Sequence, residues 1–180
     1  MKRINVVGTS ASGKSTFSKA LAQKLNLSYI ELDDLFWLDD WKESADQDFF
    51  EKLQQSIDQA PHGYVIDGNY SRTREIKWKE IDTLIWLDLP FRLNLYRSLK
   101  RALHRALTQQ KLWNNSNNRE SFKSMLSRDS IIWWMIKTHK KNQQKYLQMM
   151  KSNEYAHIHW IRLRTQTEID IFLKQTYNPK

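Results

Sequence analysis

Ile4, Val6 and Val7 form an apolar run of β-forming residues, and Phe17, Leu21 and Leu25 then recur at helical spacing. The same alternation continues along the chain. Ser28 to Leu32 predicts a second strand leading into Asp33 and Asp34. Ser44 and Gln47 predict a capping box for a helix carrying Phe49, Phe50, Leu53 and Ile57, which stops at Pro61-His62-Gly63. Tyr64 to Asp67 and Leu84 to Asp88 predict two more strands. Pro90 opens a helix with Leu95, Leu99, Ala102 and Ala106 on one face, followed by a polar loop through Asn114 to Asn118. A long helix is expected from Ser121 to Met150, with Trp133, Trp134, Met135 and Ile136 in its core, then a strand through Ile158 to Leu163 and a helix over 168–176. No long linker or repeat interrupts the pattern. It predicts one α/β domain over 1–180, with a five-stranded parallel sheet wrapped on both faces. The working site then lies beyond the carboxyl ends of the strands, where Asp33, Asp34, Asp67 and Asp88 fall.

The first turn of this pattern carries chemistry. Gly8-Thr9-Ser10-Ala11-Ser12-Gly13-Lys14-Ser15 fits G-x-x-x-x-G-K-[ST] and joins the first strand to the first helix. Glycines allow the backbone amides of Gly8, Ser10, Ala11, Ser12 and Gly13 to turn inward around phosphate oxygens, and the helix N-terminus favours an anion. Lys14 is expected to reach the β and γ phosphates of ATP, Ser15 to offer its hydroxyl to Mg²⁺, and Thr16 to add a donor.

Charge sharpens the picture. The chain has no cysteine, which excludes disulfides, thiolate catalysis and thiolate zinc sites, and a reducing cytoplasm is the expected setting. Its longest apolar run, Ile131 to Ile136, is far too short to span a membrane. Net charge is +9, but residues 1–91 carry 11 basic and 15 acidic side chains, whereas residues 92–180 carry 18 and 5. Such a basic half suits a polyanion, either ATP or nucleic acid. The five histidines show no metal-ligand spacing and receive no role.

The chain resembles the nucleoside monophosphate kinase superfamily of phosphate-loop proteins, which includes adenylate kinase and shikimate kinase. The segments Leu32 to Trp37, Ile66 to Ser71 and Asn118 to Ser121 are similar to those of bacterial topology-modulation proteins. The resemblance implies a P-loop NTPase three-layer α/β/α sandwich, an acceptor-binding insertion over 33–62 and a lid over 111–128. By analogy with adenylate kinase, Asp67 would help to hold Mg²⁺, Arg72 or its rival Arg74 would grip phosphate near Asn69, and Arg97 and Arg101 would meet the nucleotide. Arg119 or Arg128 would reach across the transferring group from the lid.

The acceptor side departs from that pattern. Residues 15–71 contain no arginine, and residues 31–51 hold nine acids and one lysine. That field repels a monophosphate and favours a neutral or cationic hydroxyl-bearing acceptor held by Asp33 or Asp34, with Trp37 and Trp41 as flat walls. The expected activity is transfer of the γ-phosphoryl group of ATP to a small molecule or nucleotide. A nucleic-acid-binding ATPase or regulator and a non-catalytic ATP-binding protein are the alternatives.

Overall fold

The computed structural model describes residues 1–108, 111–113, 115–119 and 131–176, with the backbone alone for 131 and 132. Five strands, β1 (Arg3–Gly8), β2 (Ser28–Glu31), β3 (Tyr64–Asp67), β4 (Thr83–Leu87) and β5 (His159–Leu163), form one sheet in the order β2-β3-β1-β4-β5. Every pairing is parallel. Side chains alternate between the two faces, as the pleat requires. Val7, Ile30, Ile66, Leu84 and Trp86 enter one core, which α2 (Leu32–Phe36), α3 (Asp46–Asp58), α4 (Arg74–Trp78) and α6 (Ile131–Lys151) cover with Phe36, Phe49, Leu53, Trp78 and Tyr146. Ile4, Val6, Val65, Ile85 and Leu87 enter the other, beneath Phe17 and Leu21 of α1 (Lys14–Leu25) and Ile169 of α7 (Gln166–Gln175). This is the α/β/α sandwich expected from the alternating pattern.

Several local expectations need correction. Asp33 and Asp34 lie inside the short helix α2 rather than at the end of a strand, because β2 stops at Glu31. Ser44 does not cap α3. Ala45 occupies that position, the Ser44 hydroxyl is buried without a partner among the described residues, and its amide instead donates to the Phe36 carbonyl. On α5 (Phe91–Thr108) the buried row is Asn94, Ser98, Ala102 and Ala106, while Leu99, Leu103 and Leu107 are exposed. Small side chains permit close approach of the helix, so packing selects that row over the leucines. Met135 is buried on α6, but Trp133, Trp134 and Ile136 are exposed rather than core. The expected start of the long helix, at 121–130, lies outside the described residues.

Register then aligns the chemistry. Glu31 pairs with Asp67, Val6 with Asp67 and Gly8 with Leu87, so the carboxyl ends of β1 to β4 share one edge of the sheet.

Candidate functional site

The loop between β1 and α1 opens at that edge. A Cβ on Gly8 would lie 2.7 Å from the Leu87 carbonyl oxygen and 2.8 Å from Ser12 Oγ, so only glycine lets β1 run this close to β4. Gly13 caps α1 with φ 88°, in the left-handed region that glycine enters without steric cost. Between them, the Ser12 amide donates to the Thr9 carbonyl, and Ser12 Oγ is buried without a partner among the described residues. Asn69 fixes the entrance of the loop from both sides: its Oδ1 accepts the Gly8 amide at 3.0 Å and its Nδ2 donates to the Gly8 carbonyl at 2.6 Å.

Lys14 folds back over this loop, its Nζ donating to the Thr9 carbonyl at 3.2 Å. Burial lowers the pKa of its amine, the Asp67 and Asp33 carboxylates raise it, and Arg101 lowers it further, which places all four groups in one field. Arg101 donates to Ser10 Oγ at 3.0 Å, so α5 closes the loop from the opposite side. Arg97, one turn earlier, donates to Gln166 Oε1 at 2.9 Å at the start of α7. Thr16 is exposed.

Asp67 ends β3 and is only 4% exposed. Burial raises its pKa, while Lys14, the neighbouring Ser15 hydroxyl and Tyr29 hold it down against the opposing charge of Asp33. Tyr29 donates to Oδ2 at 3.2 Å, whereas Oδ1 has no full hydrogen bond among the described residues. An orphaned carboxylate oxygen beside a serine hydroxyl fits a hydrated Mg²⁺ shared with phosphate oxygens. Among the described residues, no group of three or more His, Asp or Glu side chains gathers as a metal centre.

Asp33 receives the Tyr70 hydroxyl on Oδ1 at 2.6 Å, and its charge acts on the Lys14 amine. Asp34 points elsewhere and accepts the amide and side chain of Asn115 at 3.1 and 2.8 Å. Asp39 and Asp40 are engaged by Asn117, and Asn118 bridges the Trp41 amide and the Leu38 carbonyl. Trp113 stacks on Trp37 at 6.2 Å and meets Trp41 edge-on at 5.8 Å. The tryptophans expected as acceptor walls thus pack against one another, and residues 111–113 and 115–119 are latched onto the segment 34–41. Arg119 lies exposed in that latch, opposite Lys111, and Arg128 falls outside the described residues. Arg72 is exposed, pairs with Asp46 at 2.7 Å and Glu43 at 4.0 Å, and lies over the Phe36 ring.

Sequence reasoning missed several neighbours of the site. His139 reaches Thr9 Oγ1 with its Nδ1 at 3.2 Å, although no local motif marks it. Tyr29 and Tyr70 orient the two aspartates. Asp88 is held by Arg162 and Gln143, which ties β5 and α6 to the end of β4.

A family model described as AAA domain matches residues 4–121. A bifunctional pantoate ligase/cytidylate kinase of Prochlorococcus marinus (strain MIT 9301) is 33% identical over 100 residues, covering 47% of this chain and 20% of that protein. The chain therefore spans about a fifth of that relative's length. The shikimate kinase of Acinetobacter baumannii, solved with shikimate, superposes with TM-score 0.55 at 15% identity over 97% of this chain and 90% of its own. A shikimate kinase of Bacteroides thetaiotaomicron and an unliganded sugar kinase of Janibacter sp. HTCC2649 superpose with TM-score 0.50, at 13% and 14% identity, over 97% of this chain and 95% and 93% of theirs. At that identity the likeness shows a kinase-like fold.

Proposed function

Because the chain belongs to the AAA domain family, whose model spans residues 4–121, we propose that it is an ATP-dependent phosphotransferase acting on a hydroxyl group of a small molecule. The convergence of Lys14, Asp33 and Asp67 on one loop, with Arg101 closing it, carries this reading. Loop amides and Lys14 bind the β and γ phosphates, and Arg101 adds a guanidinium that can leave Ser10 for phosphate. Mg²⁺, held through Ser15 and Asp67, would neutralise phosphate charge.

Asp33, oriented by Tyr70, accepts the proton of the acceptor hydroxyl. The acceptor oxygen forms its bond to the γ phosphorus as the bond to the bridging oxygen of ADP breaks. Phosphoryl transfer needs positioning and charge stabilisation more than covalent chemistry, and these residues supply both. Neighbours named for shikimate and for a sugar support a hydroxyl acceptor, and the relative named for cytidylate supports a phosphate. A carboxylate beside Lys14 favours the hydroxyl. Arg119 or Arg128 is the candidate arginine of the lid.

The test is an ADP-release screen over hydroxyl acceptors and nucleoside monophosphates, run beside calorimetry with Mg²⁺ and a non-hydrolysable ATP analogue. Saturable heat and acceptor-stimulated ADP release are expected, with most of the release lost in Lys14→Ala. Absence of heat in the unaltered protein would overturn the reading.

A further inference from the structure

Three consecutive residues of the phosphate loop are each held by a different distant element. Asn69, after β3, grips the Gly8 amide and carbonyl, Arg101 of α5 donates to Ser10 Oγ, and His139 of α6 brings Nδ1 to 3.2 Å from Thr9 Oγ1. Asn69 and Arg101 follow from the loop's immediate surroundings. His139 stands 130 positions along the chain from Thr9, and its partner is the residue on which the rest of the loop converges. The Thr9 carbonyl accepts both the Ser12 amide and the Lys14 amine, each at 3.2 Å.

The loop needs such support because its backbone is strained. Ala11 has φ 60°, in the left-handed region that a residue with a Cβ enters at a cost, so this conformation persists only where neighbours over-determine it. In the phosphotransferase reading, phosphate draws away two of the holds. Lys14 turns from the Thr9 carbonyl to the β and γ oxygens, and Arg101 turns from Ser10 to phosphate. The Ser12 amide and the side-chain bond to His139 then keep the Thr9 carbonyl out of the ring of amides, where it would repel an anion. Thr9 is only 8% exposed, so loss of the ring nitrogen would strand a nearly buried hydroxyl.

The helix that carries His139 is seated firmly enough to anchor the loop. Tyr146 is buried and packs on Trp86 of β4 at 5.6 Å, and Gln143 donates to both carboxylate oxygens of Asp88 at 3.1 and 3.3 Å. The His139 ring meets Phe91 of α5 at 5.1 Å. His139 and Gln143 are four residues apart, so one face of α6 carries both onto the carboxyl end of the sheet.

We infer that His139 is a positioning residue of the phosphate loop: through Thr9 Oγ1 it holds the loop in the form that receives phosphate and ties that form to the seating of α6. The ordering of the loop stands on these contacts alone, and its effect on ATP affinity rests on the phosphotransferase reading.

The experiment compares the unaltered protein with His139→Phe, which keeps a ring against Phe91 and removes the nitrogen, and with Thr9→Val, which keeps the shape and removes the hydroxyl. It reads amide hydrogen exchange at Ser12 without nucleotide, and calorimetric affinity for a non-hydrolysable ATP analogue with Mg²⁺. Each variant should speed Ser12 exchange and weaken the analogue about fivefold, the worth of one hydrogen bond. The double variant should bind no more weakly than the weaker single variant, since both remove the same bond. His139→Asn, whose side-chain amide can take the place of Nδ1, and Thr9→Ser should recover most of both losses. Gln143→Leu cuts another polar anchor of the same helix and should move neither readout. Unchanged exchange or unchanged affinity in His139→Phe, losses that multiply in the double variant, or an equal effect of Gln143→Leu overturns the inference. Faster Ser12 exchange in His139→Phe, with no heat from the analogue even in the unaltered protein, keeps His139 as the anchor and overturns the phosphotransferase reading instead.

Discussion

Lys14 feels the charges of Asp67 and Asp33 with its amine already on the loop that would carry phosphate, so its charge should count most when negative charge develops during transfer. Lys14→Ala is expected to lower kcat by about 10²- to 10³-fold with unchanged circular dichroism. Asp33→Asn keeps the shape and removes the base, so acceptor turnover should fall far more than analogue affinity measured by calorimetry. Lys77 makes a second prediction, about stability. Its amine titrates near 7 when folded and near 10.5 when unfolded, so between those values the unfolded chain holds the extra proton and stability rises with pH. Urea unfolding should show Lys77→Met losing about 2 kcal/mol of that rise from about pH 7 to about pH 9. An equal slope in both proteins would place Lys77 in water.

At the scale of elements, the loop and its neighbours are held by contacts that cross long stretches of chain. Asn69 grips Gly8 from the end of β3, and Asn69→Ala should leave the sheet intact while weakening analogue binding about tenfold, the worth of one to two hydrogen bonds, as calorimetry would show. The latch of 111–113 and 115–119 rests on Trp113 against Trp37 and Trp41. Trp113→Ala should speed amide exchange at Trp41 and raise acceptor KM before it changes ATP affinity. Strands and the phosphate loop were legible because each depends on neighbours within a few residues: β-branched runs, glycine spacing and the lysine that follows. The faces of α5 and α6 were not. Leu99 and Asn94 both fit a helical row, and only the surface that the helix meets decides which is buried.

Across the whole molecule, residues 92–180 carry 18 basic side chains against 5 acidic ones, and the described residues include no helix long and apolar enough to cross a membrane. Any affinity for a short DNA duplex should come from phosphate neutralisation and fall about 10³-fold or more between roughly 50 and 200 mM salt. Tight binding retained at physiological salt would instead favour a nucleic-acid regulator. By itself, the amino-acid order determined the alternation of strands and helices, the phosphate loop and the placing of Asp67 at a strand end, since periodicity and backbone geometry are local. Tertiary structure alone decided that Asn69 pins the loop, that Asn115 and Asn117 engage Asp34, Asp39 and Asp40, and that Lys77 is buried. Those outcomes turn on which distant groups satisfy one another, and charge and hydrogen bonding act across space rather than along the chain.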